Sequence, residues 1–171
     1  MKKILKIGAL EAQAGQKVHG FYSVEGTDMV IPVTLINGTG EGKVLLLTAG
    51  VHPDEYPGIA AAIQLSNELR PEDISGGLVI VPMANYSGFL AKKGSHIPED
   101  GKNLNRVFPG AVLGTAADRT AAAVVSELFS RADCYIDLHA GDGYEDLHPY
   151  AYYVGPVDKR SGRRRFRWRA A

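Results

Sequence analysis

Apolar residues fall along the chain in two distinct rhythms. Residues 16–24, QKVHGFYSV, and 28–38, DMVIPVTLING, are rich in β-branched and aromatic residues and bounded by glycine, which predicts strands. Residues 43–49, KVLLLTA, and 76–84, GGLVIVPMA, are nearly unbroken apolar runs, the pattern of strands covered on both faces. Residues 134–140, CYIDLHA, predict a further strand, and AYYVGP at 151–156 the start of another. The second rhythm is helical. Residues 57–70, PGIAAAIQLSNELR, open with Pro57, which suits a first helical turn. In TAADRTAAAVVSELFSR, residues 115–131, Thr115 is placed to cap, and Ala121, Val124, Val125, Leu128 and Phe129 form one apolar stripe. Residues 85–114 keep neither period and contain five Gly and two Pro, so they read as one long loop of the functional kind. Strands alternating with helices predict an α/β fold: a mixed, mostly parallel sheet flanked by helices, with sites beyond the carboxyl ends of its strands.

Composition narrows the class. The 171 residues, 45% hydrophobic and 22% charged, suit one globular domain. The single cysteine, Cys134, excludes an intrachain disulfide and fits a reducing, cytoplasmic setting. No apolar run approaches the roughly 20 residues a membrane helix needs. The N-terminal MKKILKIGALEAQAG has a basic start, but Lys6 and Glu11 interrupt its short apolar stretch, so it reads as an opening strand rather than a signal peptide. The net charge of zero conceals a division. Residues 159–171 carry seven Lys or Arg and no acid, leaving the other residues with 12 basic against 19 acidic, a net charge of −7.

The candidate chemistry lies at two predicted strand ends. In GVHPDEYPG, residues 50–58, His52 and Glu55 stand three positions apart directly after KVLLLTA. Hydrolytic zinc sites commonly use three protein ligands and leave one position open, and two His with one Glu is a standard set. An H-x-x-E match alone is frequent and is more often a polar turn. His139, at the end of CYIDLHA, is placed to be the third ligand, and those three side chains should then converge within about 5 Å. Asp137, two residues before it, is positioned to accept from an imidazole. Arg106, beside Asn105 in DGKNLNRVFPG, is suited to a bidentate grip on a carboxylate; on composition alone it reads as a solvated loop arginine.

Taken together and in order, GVHPDEYPG, NLNRVFPG and DLHAG resemble the succinylglutamate desuccinylase/aspartoacylase family, which is related to the zinc carboxypeptidases. The resemblance runs over roughly residues 30–158. It implies that His52, Glu55 and His139 bind zinc and that Asn105 and Arg106 hold a substrate carboxylate. The implied reaction is hydrolysis of an N-acyl amide on an amino acid or similar small molecule. A peptide-cleaving zinc carboxypeptidase and a metal-binding fragment without turnover are the alternatives. Many members carry a further arginine shortly before the NLNR motif; here Lys92, Lys93, His96 and Lys102 occupy that stretch.

The resemblance also implies a longer chain, in which a later strand supplies the general-base glutamate and a β-rich region follows. The expectation is therefore an incomplete catalytic domain over residues 1–158 with little activity of its own. Glu145 and Asp146 are the only nearby acids that could replace the base. The tail at 159–171 reads as a shifted or artificially ended frame; arginines interleaved with Phe166 and Trp168 would also suit nucleic acid, the less favoured partner. A strand edge left unpaired near residue 158 makes self-association an expectation as well.

Overall fold

A computed structural model describes residues 4–152. A two-stranded hairpin, β1 (Leu5–Ile7) and β2 (Leu10–Ala12), precedes β3 (Gln16–Ser23), β4 (Val30–Asn37) and β5 (Gly40–Ala49). Helix α1 (Tyr56–Glu68), strand β6 (Ser75–Val81), short helix α2 (Tyr86–Ala91), helix α3 (Ala116–Ala123) and strand β7 (Cys134–Leu138) complete the order. The main sheet runs β3-β4-β6-β5-β7. Its β3–β4 and β4–β6 pairs are antiparallel, and β5 pairs in parallel with β6 on one side and β7 on the other. This is the mixed α/β sheet that the alternation of elements predicts.

Side-chain alternation divides the core between the two sheet faces. Val33, Leu35, Val44, Leu46, Val79 and Val81 turn to one face, where Ala117, Ala121, Val124 and Leu128 of the α3 region cover them. Ile36, Leu47, Ala49, Leu78 and Ile80 turn to the other, beneath Ile59 and Ala62 of α1. Burying each such Val, Leu or Ile stabilises the fold by about 1.5–3 kcal/mol. Both faces of β5 and β6 are filled, which explains why their sequences run apolar without alternation.

Three local readings change in the structure. The opening segment is a hairpin rather than one strand, because Gly8 turns the chain at φ +53° between β1 and β2. Residues 85–114 are not a featureless loop. Asn85 accepts from the Gly88 amide and starts α2, and a 3₁₀ turn spans Leu104–Arg106. Ile97 and Leu104 are fully buried, and the Asp100 carboxylate accepts from the Ala117 amide at the start of α3. Tertiary anchors of this kind leave no period in a sequence. The third change is in residues 115–131. The α-helix ends at Ala123 and continues as a π turn, Val124–Leu128, and a 3₁₀ turn, Phe129–Arg131. At its start, Asp118 accepts from both the amide and the hydroxyl of Thr115 and pairs with Lys102 at 2.8 Å. Those contacts, led by Lys102, pull the Asp118 carboxyl down to about 2.

Strand β7 is a sheet edge among the described residues, and Tyr135 and Ile136 on it are nearly half exposed. Of the strand expected at 151–156, Ala151 and Tyr152 are described and are not in a strand; residues 153–156 and the basic tail at 159–171 lie outside the described residues.

Candidate metal centre

His52 and Glu55 are set by the exit from β5. After Ala49 the chain turns at Gly50, whose φ of +63° is open to glycine and where a Cβ would stand 2.9 Å from the Met83 Cα. The Glu55 amide then donates to the His52 carbonyl at 3.3 Å, which folds the HPDE stretch back before α1 begins. Glu55 is the N-cap residue of α1, yet its side chain makes no capping bond. It points instead toward two imidazoles. The helix N-terminus still favours its negative charge.

His139 arrives from the neighbouring strand. Parallel pairing of β5 with β7 sets Thr48 opposite Asp137 and Ala49 opposite Leu138, so the two strands end side by side. The fit of α1 against β7 is close: a Cβ on Gly58 would lie 3.1 Å from the Leu138 carbonyl oxygen. Residues 84 positions apart in the chain thereby meet.

One ligand-type atom from each of His52, Glu55 and His139 lies within 4.8 Å of the other two. Glu55 is 5% exposed and is the hub. Its Oε1 accepts from His52 Nδ1 at 2.6 Å, and its Oε2 accepts from His139 Nδ1 at 2.8 Å and from the Ala140 amide at 2.9 Å. His139 Nε2 donates to Asp137 Oδ2 at 2.7 Å. Carboxylates only accept, so His139 carries protons on both nitrogens. Asp137 first, with Glu55 adding to it against the cost of burial, pushes the His139 pKa up to about 9. His52 Nε2 is buried and has no hydrogen-bond partner among the described residues.

This donor set suits a divalent metal of the zinc type: two imidazoles and a carboxylate, both Nδ1 atoms turned to one point, and an outer carboxylate holding the far nitrogen of one ring. A pH dependence follows from the proton on His139. A metal taken up there must displace the Nδ1 proton, so apparent zinc affinity is expected to rise with pH toward about 9. At neutral pH uptake should release about one proton from this residue, which calorimetry in buffers of different ionisation enthalpy measures.

The other residues singled out in the sequence lie apart from these contacts. Asn105 is half-buried and Arg106 exposed in the 3₁₀ turn; the only hydrogen bond of the guanidinium among the described residues is to the Asn105 carbonyl at 3.5 Å. Of the lysines in the stretch where many members have arginine, Lys102 is engaged with Asp118, while Lys92 and Lys93 are exposed. Glu145 and Asp146 are exposed, and neither hydrogen-bonds to His52, Glu55 or His139. Thr48, which was not singled out in the sequence, is 1% exposed and touches Asp137. A hydroxyl inside an apolar strand, LLLTA, is the signal that could have found it.

The chain is 42% identical over 123 residues to the N-alpha-acetyl-L-2,4-diaminobutyric acid deacetylase of Halomonas elongata, a match covering 72% of this chain and 35% of that protein. Among solved structures, the product-bound ectoine utilization protein EutE (DoeB) from Ruegeria pomeroyi superposes with a TM-score of 0.69 at 33% identity, over 82% of this chain and 44% of that one. A succinylglutamate desuccinylase/aspartoacylase from Rhodobacter sphaeroides gives a TM-score of 0.67 at 29% identity, over 78% and 44%. The chain thus spans less than half the length of these relatives. The model of one family matches residues 41–171, the stretch that holds every group of the cluster. That match and the shared fold agree with the strand-end arrangement of His52, Glu55 and His139, and the chain belongs to the succinylglutamate desuccinylase/aspartoacylase catalytic-domain family.

Proposed function

We propose that this chain forms the metal-binding portion of a zinc-dependent deacylase that hydrolyses the amide of an N-acylated amino acid. The observation that carries the reading is the convergence of His52, Glu55 and His139 on one point at the ends of β5 and β7. Family membership and the deacetylase activity named for the Halomonas relative support the reaction type. On this reading residues 1–158 belong to one catalytic domain.

Zinc held by the three side chains would polarise the acyl carbonyl and make a bound water acidic enough to attack near neutral pH. The remaining work falls to the protein. Asp137 accepts the Nε2 proton of His139, which directs the Nδ1 lone pair of that ring inward. Glu55, buried and tied to the Ala140 amide, cannot swing away from the centre. Arg106, backed by Asn105, binds the carboxylate of the amino-acid part through two parallel hydrogen bonds and so positions the amide. The described residues supply no further carboxylate in hydrogen-bond contact with the three.

The test is hydrolysis of N-acetylated amino acids, N-acetyl diamino acids included, by the zinc-loaded chain and by a version extended to the length of its relatives. Release of the free amine, lost on chelation and restored by zinc, is the expected result. Cleavage of C-terminal peptide bonds in preference to acyl-amino acids would overturn the substrate class and leave the metal site standing.

A further inference from the structure

We infer that Thr48 is a positioning residue of the metal centre, its hydroxyl holding Asp137 in the orientation that His139 requires. This inference rests on the metal-site reading above and extends it one residue deeper into the sheet.

Thr48 lies on β5 directly opposite Asp137 on β7. Its Oγ1 is 2.5 Å from Asp137 Oδ1 and 2.9 Å from the Tyr135 hydroxyl. The direction of both bonds follows from proton counting. The carboxylate can only accept, and a threonine hydroxyl has one hydrogen, so Thr48 donates to Asp137. The Tyr135 hydroxyl must then donate to Thr48. Burial and the nearby Asp137 charge push the Tyr135 phenol above its ordinary value, so it keeps the proton it donates. The Tyr135 ring is itself braced edge-on by Phe129 at 4.5 Å.

The chain of bonds therefore has one polarity: Tyr135 to Thr48, Thr48 to Asp137 Oδ1, and His139 Nε2 to Asp137 Oδ2. Each oxygen of Asp137 has its own donor. Without the Thr48 hydroxyl, Asp137 loses its 2.5 Å donor on Oδ1 and keeps only the neighbouring Tyr135 hydroxyl on that side, so the carboxylate is held less firmly about its terminal torsion, which has a broad and nearly two-fold profile. His139 would then lose the fixed acceptor that selects its tautomer and ring angle. Hydrophobic neighbours on both sides of Thr48 along β5 give no packing reason for a hydroxyl there.

The experiment compares zinc affinity of the wild type, Thr48→Val and Thr48→Ser by competition with a chromophoric chelator. Valine keeps the shape and removes the hydroxyl; serine keeps the hydroxyl. Thr48→Val is expected to bind zinc more weakly by up to about 10-fold, the lower end of the effect of removing a direct partner of a ligand, with Thr48→Ser close to wild type. Equal affinity of Thr48→Val and wild type, or equal weakening of both variants, would overturn the inference while leaving the metal site intact. If the wild type itself binds no zinc, the metal-site reading and this inference fall together. Should Thr48→Val fail to fold by circular dichroism, Thr48→Ala takes its place beside Thr48→Ser, and a zinc affinity of Thr48→Ala equal to that of Thr48→Ser overturns the inference.

Discussion

His139→Ala is expected to abolish stoichiometric zinc binding while the chain stays folded. The apparent free energy of structural zinc sites is about 10–16 kcal/mol spread over four ligands, so one ligand is worth about 3–4 kcal/mol, or roughly 10²–10³-fold in affinity. His139 sits beyond the end of β7 and is one-third exposed at its side chain, so its removal opens no core cavity. Glu55→Ala should be as damaging to zinc affinity and more damaging to the fold. It strips the partner from two imidazoles and from the Ala140 amide in a buried place. Elemental analysis and chelator competition measure the first effect, and denaturant melts the second. A His139→Ala protein that retains one tightly held zinc would remove His139 from the ligand set and with it the present account of the site.

Arg106→Ala is expected to weaken binding of an N-acetyl amino acid to the zinc-loaded protein by about 1.5–3 kcal/mol, the usual worth of a hydrogen bond to a charged group. The guanidinium is exposed and its one hydrogen bond among the described residues is to a neighbouring carbonyl, so the substitution should leave stability nearly unchanged. Arg106→Lys should recover only part of the loss, because a lysine cannot offer the planar two-point grip. The control is a ligand whose carboxylate is replaced by a carboxamide. It should bind the wild type and Arg106→Ala almost equally, since the contact in question is missing in both. A carboxylate ligand that binds both proteins alike would take Arg106 out of the substrate site.

Much of this was legible from residue patterns. The apolar runs at 43–49 and 76–84 read as doubly covered strands because they are covered by helices on both faces. His52 and Glu55 could be paired on sight, since a strand, a glycine turn and a helix start within nine residues leave little freedom in where they point. Asp137 could be named as the partner of an imidazole because period-two geometry sets it two residues from His139. Residues 85–114 were harder to read. Their order comes from Asn85 on the Gly88 amide, Asp100 on the Ala117 amide and Lys102 on Asp118, and single contacts of that kind have no repeat to detect.

The sequence by itself thus determined the main strands and helix α1, the strand-end position of His52 and His139, and the family. Each of these depends on local periodicity, on turn chemistry or on motifs of a few residues. Only the tertiary structure decided that β7 lies beside β5 in parallel with Thr48 opposite Asp137. That register sets the rest: it brings His139 to Glu55 and gives Asp137 a donor on each oxygen. It also holds a proton on His139 to about pH 9, which a metal must displace. Such properties depend on distances between groups more than 80 positions apart, and the free energy of a charge or a hydrogen bond changes steeply over the few ångströms that strand pairing sets.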